Sequence, residues 1–241
     1  MKKWIPNQHG AWAMLITPVV VGALLGGVRR PHLLLLLSWL AAYCANFFLM
    51  LALKTRKWDR YRKQLLTYGG CTVVGGAPLT VVEPQLLRLA FVAIPALAVN
   101  LYFVQTRNER AWLNDVTGIL LAGAVGFAAF RLGYRGSDAE IIDAAWRGIA
   151  IVCLYFVGTV FYVKTIIRER GDRRWFAMSV LFHVGFALLL IVSQFWLLSA
   201  IAATALVRAL VVPSLGWTPK RVGLVEIAFT VAFGLAVLPL S

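Results

Sequence analysis

Two cations spaced one helical turn apart are the residues of this chain best suited to bind an anion. Lys164 and Arg168 are four residues apart, so in a helix they project from the same face. Cations held side by side repel each other unless a negative group lies between them, and Glu169 or Asp172 is one source of that charge. A phosphate or carboxylate ligand is the other source. We therefore predict substrate-binding roles for Lys164, Arg168 and Glu169.

A second polar cluster occupies the segment from Arg107 to Asp115. If this segment is helical, Arg107, Arg110 and Asn114 form one stripe, and we predict that all three bind substrate. Asp115 stands where an apolar run begins. It either stabilises the positive end of a helix dipole or transfers a proton, and we include it among the catalytic candidates.

Five further candidates lie near the ends of other apolar runs. Gln8 and His9 precede the first run, where they either cap a helix or line a cavity that opens to the cytoplasm. Arg208 and Glu226 are ionisable groups inside apolar runs, so they either pair with each other or serve a ligand. Asn46 is an isolated amide that can bond a neighbouring helix. The catalytic candidates are therefore His9, Asp115 and Glu226. The substrate-binding candidates include Gln8, Asn46 and Arg208.

Apolar runs long enough to cross a membrane must position these residues. The chain is 61% apolar and 14% charged, whereas soluble domains are about 45–50% apolar and about 25% charged. A helix of about 20 apolar residues crosses the hydrocarbon core of a bilayer. We predict an all-α, multi-pass membrane helix bundle that forms a single domain over residues 1–241. Its nine predicted spans are approximately 10–28, 33–53, 65–82, 86–104, 113–130, 144–163, 175–192, 195–212 and 223–240.

The distribution of charge predicts the orientation of these spans. The chain has 24 Lys and Arg against 10 Asp and Glu, a net charge of +14. Most of the cations gather in alternating loops, and short loops rich in Lys and Arg stay in the cytoplasm. We predict a cytoplasmic (inner) membrane location with the N-terminus inside and the C-terminus outside. The cations lie between spans rather than on one soluble face, which argues against a nucleic-acid partner. Loop 54–64 is predicted to bind anionic lipid headgroups, each cation contributing about 1 kcal/mol.

Three stretches carry a resemblance that runs along nearly the whole chain. The opening PNQHGAWAMLITP and the later stretches RNERAWLND and YVKTIIRER resemble hallmarks of the YwiC-like family of bacterial membrane proteins. The opening motif is the most specific of the three. The resemblance implies a bacterial membrane protein and adds no particular chemistry.

The order of these features also resembles the UbiA superfamily of membrane prenyltransferases. WAMLITPVVVGALLG is similar to the first span of that superfamily. YCANFFLMLALK lies where the superfamily has an N-D-x-x-D motif, and TVFYVKTIIRERGDRRW lies where it has D-x-x-x-D. The resemblance implies a nine-helix bundle with the termini placed as above. It also implies aspartates that hold Mg²⁺ ions for a prenyl diphosphate, because Mg²⁺ prefers oxygen ligands and bridges to phosphate.

The chain departs from those motifs at the metal-binding positions. Only Asn46 matches the first motif, since Phe47 and Met50 stand where the aspartates would be. Lys164 and Arg168 occupy the region of the second motif. We therefore predict no cofactor and no metal site. Mg²⁺ would bind only if the remaining acids converged, and these are Glu109, Asp115, Glu169 and Asp172.

Together these residues predict a cytoplasm-facing polar cavity that binds a small anionic amphiphile, an isoprenoid or another lipid. One hypothesis is a divergent membrane enzyme that transfers a prenyl or lipid group without the usual Asp–Mg site. The alternative is a transporter, flippase or channel that uses the same cavity, and a third is a lipid-binding or assembly protein without turnover. Nine spans do not divide into equal halves, which weighs against transport. The sequence has no recognisable nucleophile motif, which weighs against an enzyme. It does not indicate an oligomeric state.

Overall fold

Helices account for nearly all of the protein. The computed structural model describes residues 4–6 and 9–240, the side chain of His9 excepted, and these residues contain no β-strand. The described α-helices are α1 (His9–Gly26), α2 (Arg30–Thr55), α3 (Trp58–Val82), α4 (Ala90–Gln105), α5 (Trp112–Gly133), α6 (Ala139–Ile167), α7 (Arg173–Val192), α8 (Trp196–Val211) and α9 (Pro219–Ala236). Short 3₁₀-helices cover Pro84–Leu89, Val212–Ser214 and Leu238–Leu240.

Each predicted span corresponds to one of these helices, so the prediction of an all-α, multi-pass bundle is confirmed. Helices α2 to α9 are long and apolar enough to cross a bilayer, with α4, α8 and α9 extended by the adjoining 3₁₀-helices. Helix α1 is an apolar helix slightly below that length. The protein is therefore a multi-pass membrane protein by the length and composition of its helices.

Residues 54–64 do not form a loop as predicted, because most of them belong to helices. Helix α2 continues to Thr55 and α3 begins at Trp58, so most of the cations of this segment lie on helix ends. Arg56 ends α2 in the left-handed region, with φ 55°. Arginine and lysine are good helix formers, so the first turns of α3 continue the helix beyond the apolar run.

The chain forms two compact units, Met1–Ser137 and Asp138–Ser241. The first unit contains α1 to α5 and the second contains α6 to α9. Each unit has its own buried apolar core. The prediction of a single domain stays a prediction.

Helices α1 and α5 of the first unit pack backbone to backbone. A Cβ atom at Gly126 would lie 2.6 Å from the carbonyl oxygen of Pro18, and a Cβ at Gly22 would overlap the carbonyl oxygen of Gly126. His32, in the first turn of α2, adds a polar contact because its Nε2 lies 2.9 Å from the carbonyl oxygen of Ala129 in α5. Small residues allow this close packing of membrane helices, for which the hydrophobic effect supplies little attraction.

Helix α6 is the central helix of the second unit and packs against α7 and α9. Tyr155 of α6 stacks on Phe233 of α9 with 4.5 Å between ring centroids. Where α6 ends and α9 begins, an apolar cluster closes the unit. It consists of Tyr162, Ile166, Ala209, Val212 and Val222, with Val163 and Trp217 packed against it.

The α1–α5 contact predicts a position-specific effect of added volume. Gly22→Ala should lower the melting temperature in detergent, because the new methyl group must push α5 away, and overpacking of this kind costs about 1–3 kcal/mol. Gly118→Ala in α5 is the control, since a Cβ there meets no atom within 4 Å among the described residues. That variant should melt at the same temperature or higher, because alanine is the better helix former. Equal loss of stability in both variants would contradict the close α1–α5 contact.

Candidate functional site

A buried ion pair forms the centre of a polar cluster in the second unit. Arg208 of α8 is 5% exposed and Glu226 of α9 is 9% exposed. Nη1 of Arg208 contacts Oε1 of Glu226. The structure therefore brings two of the sequence candidates together, in the pairing that the sequence left open. Buried ions are stable only when paired and hydrogen-bonded, so each side chain depends on the other.

Helix α6 supplies the remaining partners of the carboxylate. Oε2 of Glu226 accepts hydrogen bonds from the hydroxyls of Tyr155, at 3.2 Å, and Thr159, at 3.0 Å. The Tyr155 hydroxyl also lies 3.3 Å from Oγ1 of Thr230. Both oxygens of Glu226 are thus engaged, which holds it as a counter-ion. To transfer a proton as we predicted, the carboxylate would have to release one of these donors.

The guanidinium of Arg208 lies between two aromatic rings. Its Cζ is 4.2 Å from the ring centroid of Tyr162 and 4.5 Å from that of Phe229. Within the part of the chain that the structure describes, neither Nε nor Nη2 of Arg208 has a hydrogen-bond acceptor, and the Tyr162 hydroxyl has no partner. The cluster therefore holds buried donors that are not satisfied. The Nε and Nη2 donors form the edge of a guanidinium that matches two oxygens of a carboxylate or phosphate.

Lys164 and Arg168 do not share the environment that we predicted for them. Lys164, in the last turn of α6, is 5% exposed, and its Nζ lies 5.5 Å from the ring centroid of Trp175 in α7. Arg168 is exposed and Glu169 is half-buried. The backbone N–H of Arg168 donates to the carbonyl oxygen of Lys164 at 3.1 Å, so the helical spacing that we predicted continues to Arg168, but the two side chains differ in burial. Their predicted roles in binding stay predictions.

Asparagine side chains connect three helices of the first unit. Nδ2 of Asn46 in α2 donates to Oδ1 of Asn100 in α4 at 3.4 Å, and Nδ2 of Asn100 donates to Oδ1 of Asn114 in α5 at 3.0 Å. Nδ2 of Asn114 donates to the backbone carbonyl of Glu109 at 2.9 Å. Oδ1 of Asn46 meets no donor among residues 4–6 and 9–240. Asn46 thus bonds a neighbouring helix, which is one of the two roles considered for it.

The segment between α4 and α5 is a turn, so the predicted helical stripe of Arg107, Arg110 and Asn114 is wrong. Arg107 has a left-handed backbone with φ 56°, which ends the helical path, and the side chains of Arg107 and Arg110 are exposed. Glu109 forms an ion pair with Lys54 of α2, with 2.6 Å between Oε1 and Nζ.

The remaining candidates include helix-end residues and one position that is not described. Asp115 is half-buried in the first turn of α5, where a carboxylate favours the helix dipole. Asp172 accepts a hydrogen bond from the backbone N–H of Arg174 at 2.7 Å and caps α7. Gln8 and the side chain of His9 lie outside the described residues.

The residues at the motif positions do not fit Mg²⁺. Phe47 packs edge to face on Phe48, with 5.3 Å between ring centroids, and Met50 is buried. Of the four acids considered for Mg²⁺, Glu109 and Asp115 belong to the first unit, and Glu169 and Asp172 belong to the second. Among the side chains that the structure describes, no three His, Cys, Asp or Glu come together as metal ligands.

The family of the chain follows from comparison with known proteins. Residues 5–130, which run from before α1 into α5, match the model of the YwiC-like protein family. The chain is 35% identical over 239 residues to a Bacillus subtilis protein described as uncharacterized protein YwiC, covering 99% of this chain and 98% of that protein. This chain belongs to the YwiC-like family.

A second relative of this YwiC-like protein is described as an uncharacterized protein of Haemophilus influenzae. The two are 34% identical over 238 residues, which cover 99% of this chain and 98% of the relative. No solved structure matches the chain. The resemblance to the YwiC-like family is therefore confirmed, whereas the resemblance to the UbiA superfamily stays a prediction.

Several residues of the Arg208 cluster were not among the sequence candidates of this YwiC-like chain. Tyr155, Thr159 and Tyr162 are spaced four and three residues apart and share one face of α6. Thr230 follows Glu226 by one helical turn on α9. Polar groups at this spacing within an apolar run are the signal that indicates a buried network.

The ion pair predicts a stability effect that differs from that of an exposed pair. Glu226→Gln should destabilise this YwiC-like protein by about 3–5 kcal/mol, because it leaves a buried cation without its counter-ion. The control is Asp143→Asn, which breaks the exposed Arg147–Asp143 pair with its 2.5 Å contact and should cost less than about 1 kcal/mol. Thermal unfolding in detergent measures both.

A double substitution separates the charge effect from a packing effect. Arg208→Met combined with Glu226→Leu should recover most of the lost stability, since apolar residues of similar volume replace buried ion pairs at little cost. Equal destabilisation by the double variant and by Glu226→Gln would show that the charges are not the cause.

Proposed function

We propose that this YwiC-like membrane protein binds an amphiphile with a negatively charged head, and that Arg208 of the second unit holds the head. The observation that carries the proposal is the buried Nε and Nη2 edge of Arg208, which has no acceptor among the described residues. An unsatisfied buried donor costs about 1–3 kcal/mol. An oxyanion that accepts from both nitrogens removes this cost.

The surroundings of Arg208 support a ligand with two oxygens in one plane. Tyr162 and Phe229 cover the two faces of the guanidinium, and Glu226 takes Nη1. The edge that remains is the one that makes parallel N–H···O bonds to carboxylate or phosphate. The Tyr162 hydroxyl supplies a further donor.

The position of Arg208 within a membrane helix favours an amphiphile over a small hydrophilic anion. Arg208 lies one turn from the end of α8, among apolar residues of helices with membrane-spanning length. A hydrated anion that moves there loses its water, which is costly. An isoprenoid or acyl tail offsets that cost, because it packs against exposed apolar side chains such as Val207 of α8 and Leu224 of α9.

In this proposal, cationic side chains of the protein bind the anionic head directly, in place of Mg²⁺ ions held by aspartates. A transferase of this type would neutralise the head of a prenyl or lipid substrate with guanidinium and hydroxyl donors. The stacking of Tyr155 on Phe233 next to Glu226 supports a site closed on that side. We therefore favour binding or transfer over the transport alternative.

The proposed location is the cytoplasmic membrane, with the N-terminus inside. The junction of α2 and α3 supports this orientation, because Arg56, Lys57, Arg60 and Lys63 are exposed there. Trp58, which is 49% exposed, lies among them as an interfacial aromatic residue does. In this orientation the same cations meet anionic lipid headgroups.

The orientation predicts which introduced cysteines are labelled from outside the cell. In a variant without Cys44, Cys71 and Cys153, Ser137→Cys should react with a membrane-impermeant maleimide in intact cells. Lys57→Cys should react only after the membrane is opened. Both positions are exposed on helix connections of the first unit. The reverse pattern of labelling would contradict the proposed orientation.

The proposed site predicts that a conservative change weakens binding. Arg208→Lys keeps the charge beside Glu226 and removes the two-nitrogen edge. The affinity for geranylgeranyl monophosphate, measured by native mass spectrometry in detergent, should fall about 10-fold to 100-fold, since hydrogen bonds to charged groups contribute about 1.5–3 kcal/mol. Arg173→Lys, at an exposed position of α7 in the same unit, is the control and should bind as the unmodified protein does.

One further measurement completes this test. Removal of Mg²⁺ by a chelator should leave the affinity unchanged, because cations of the protein rather than metal-bound acids hold the head. An unchanged affinity in Arg208→Lys would contradict the proposed site.

A further inference from the structure

We infer that Phe229 is the movable cover of the Arg208 site, and that the ligand enters from the lipid phase rather than from water. The inference rests on the proposed function and deepens it, since it limits the substrate to anions that reside in the membrane.

The donors of Arg208 are enclosed, so a ligand reaches them only if a covering group moves. The two groups that cover the guanidinium faces differ in how firmly they are held. Tyr162 is 0% exposed and belongs to the apolar cluster that includes Ile166 and Val212. Phe229 is half-buried. Rotation of Phe229 therefore disturbs fewer contacts than rotation of Tyr162.

The position of Phe229 on α9 places it at the border of the buried face. Glu226 and Phe233, three residues before and four residues after it, are buried. Val225 and Ala232, four residues before and three residues after it, are half-buried. The ring therefore lies between the buried cluster and the outward face of a membrane helix, and outward rotation carries it toward lipid.

The adjoining end of the second unit is closed by apolar side chains. Ile166, Val212 and Val222 pack together with Trp217 where α6 ends and α9 begins. The guanidinium of Arg221 lies over the Trp217 ring, with 4.4 Å between Cζ and the ring centroid. An anion that arrives from the water at this end would have to pass through these packed side chains. On the α9 side, the half-buried ring of Phe229 covers the guanidinium, with 4.5 Å between Cζ of Arg208 and the ring centroid.

This path selects the ligand by its tail. A lipid that enters sideways leaves its tail in the membrane next to α9 and places its head on the Nε and Nη2 edge of Arg208. Inorganic phosphate stays in the water layer and does not reach the site. A lipid monophosphate or carboxylate fits this path.

The test measures binding kinetics in lipid nanodiscs with geranylgeranyl monophosphate as the probe. Phe229→Ala should raise both the association and the dissociation rate about tenfold, because removal of the ring removes the contact that keeps the site closed. Phe229→Trp, a larger cover that retains a ring over the guanidinium, should lower both rates. Phe176→Ala, at an exposed aromatic residue of α7 in the same unit, is the matched control and should leave both rates unchanged.

A competition experiment separates the lipid route from the water route. Inorganic phosphate at millimolar concentration should not displace the lipid probe from the unmodified protein. Displacement would overturn the inference, as would unchanged rates in both Phe229→Ala and Phe229→Trp. If Arg208→Lys still weakens binding in those cases, the proposed function stands without the cover. If the unmodified protein does not bind the probe, the proposed function fails, and the inference fails with it.

Discussion

The high cost of placing a charge in a hydrocarbon environment governs the structure of the second unit. Arg208 lies within a helix that has little polarity of its own, so other helices must supply its partners. Helix α9 supplies a carboxylate and a ring, and α6 supplies a second ring together with the hydroxyls that hold the carboxylate. One cation thus fixes the facing sides of three helices. The same constraint makes each unsatisfied donor in the cluster an indication of a ligand site, because the hydrocarbon core of the membrane supplies no water to accept its hydrogen bond.

The first unit solves the problem of helix association in a different way. Apolar surfaces attract each other little when lipid is the alternative, so close contact and hydrogen bonds must hold the helices. Gly22 and Gly126 allow backbone contact between α1 and α5, and His32 bridges α2 to α5. Asparagine amides join α2, α4 and α5. The two units therefore hold their helices by small residues and amides in one case and by charge and aromatic rings in the other.

The sequence predicts the helices well and the side-chain contacts only in part. Apolar runs locate all nine described helices, because the thickness of a bilayer sets their length. The pairing of Arg208 with Glu226 was one of two alternatives, the other being a contact with a ligand. A buried charge needs a partner, but the sequence does not show which group that partner is. The difference in burial between Lys164 and Arg168 was not predicted, because their spacing does not reveal which side chain a neighbouring helix covers. Tyr155 and Phe229 were missed because aromatic residues in an apolar run are ordinarily packing residues.

The chain of asparagines has a fixed direction. Each amide has an oxygen that accepts and a nitrogen that donates, so the orientation of one determines that of the next. The carbonyl of Glu109 accepts from Asn114, which turns the Asn114 oxygen toward Asn100 and the Asn100 oxygen toward Asn46. A backbone carbonyl cannot reverse its polarity, so it sets the order of all three side chains. Oδ1 of Asn46, at the end of this series, has no donor among the described residues. A group that binds Asn46 at this atom must therefore be a hydrogen-bond donor.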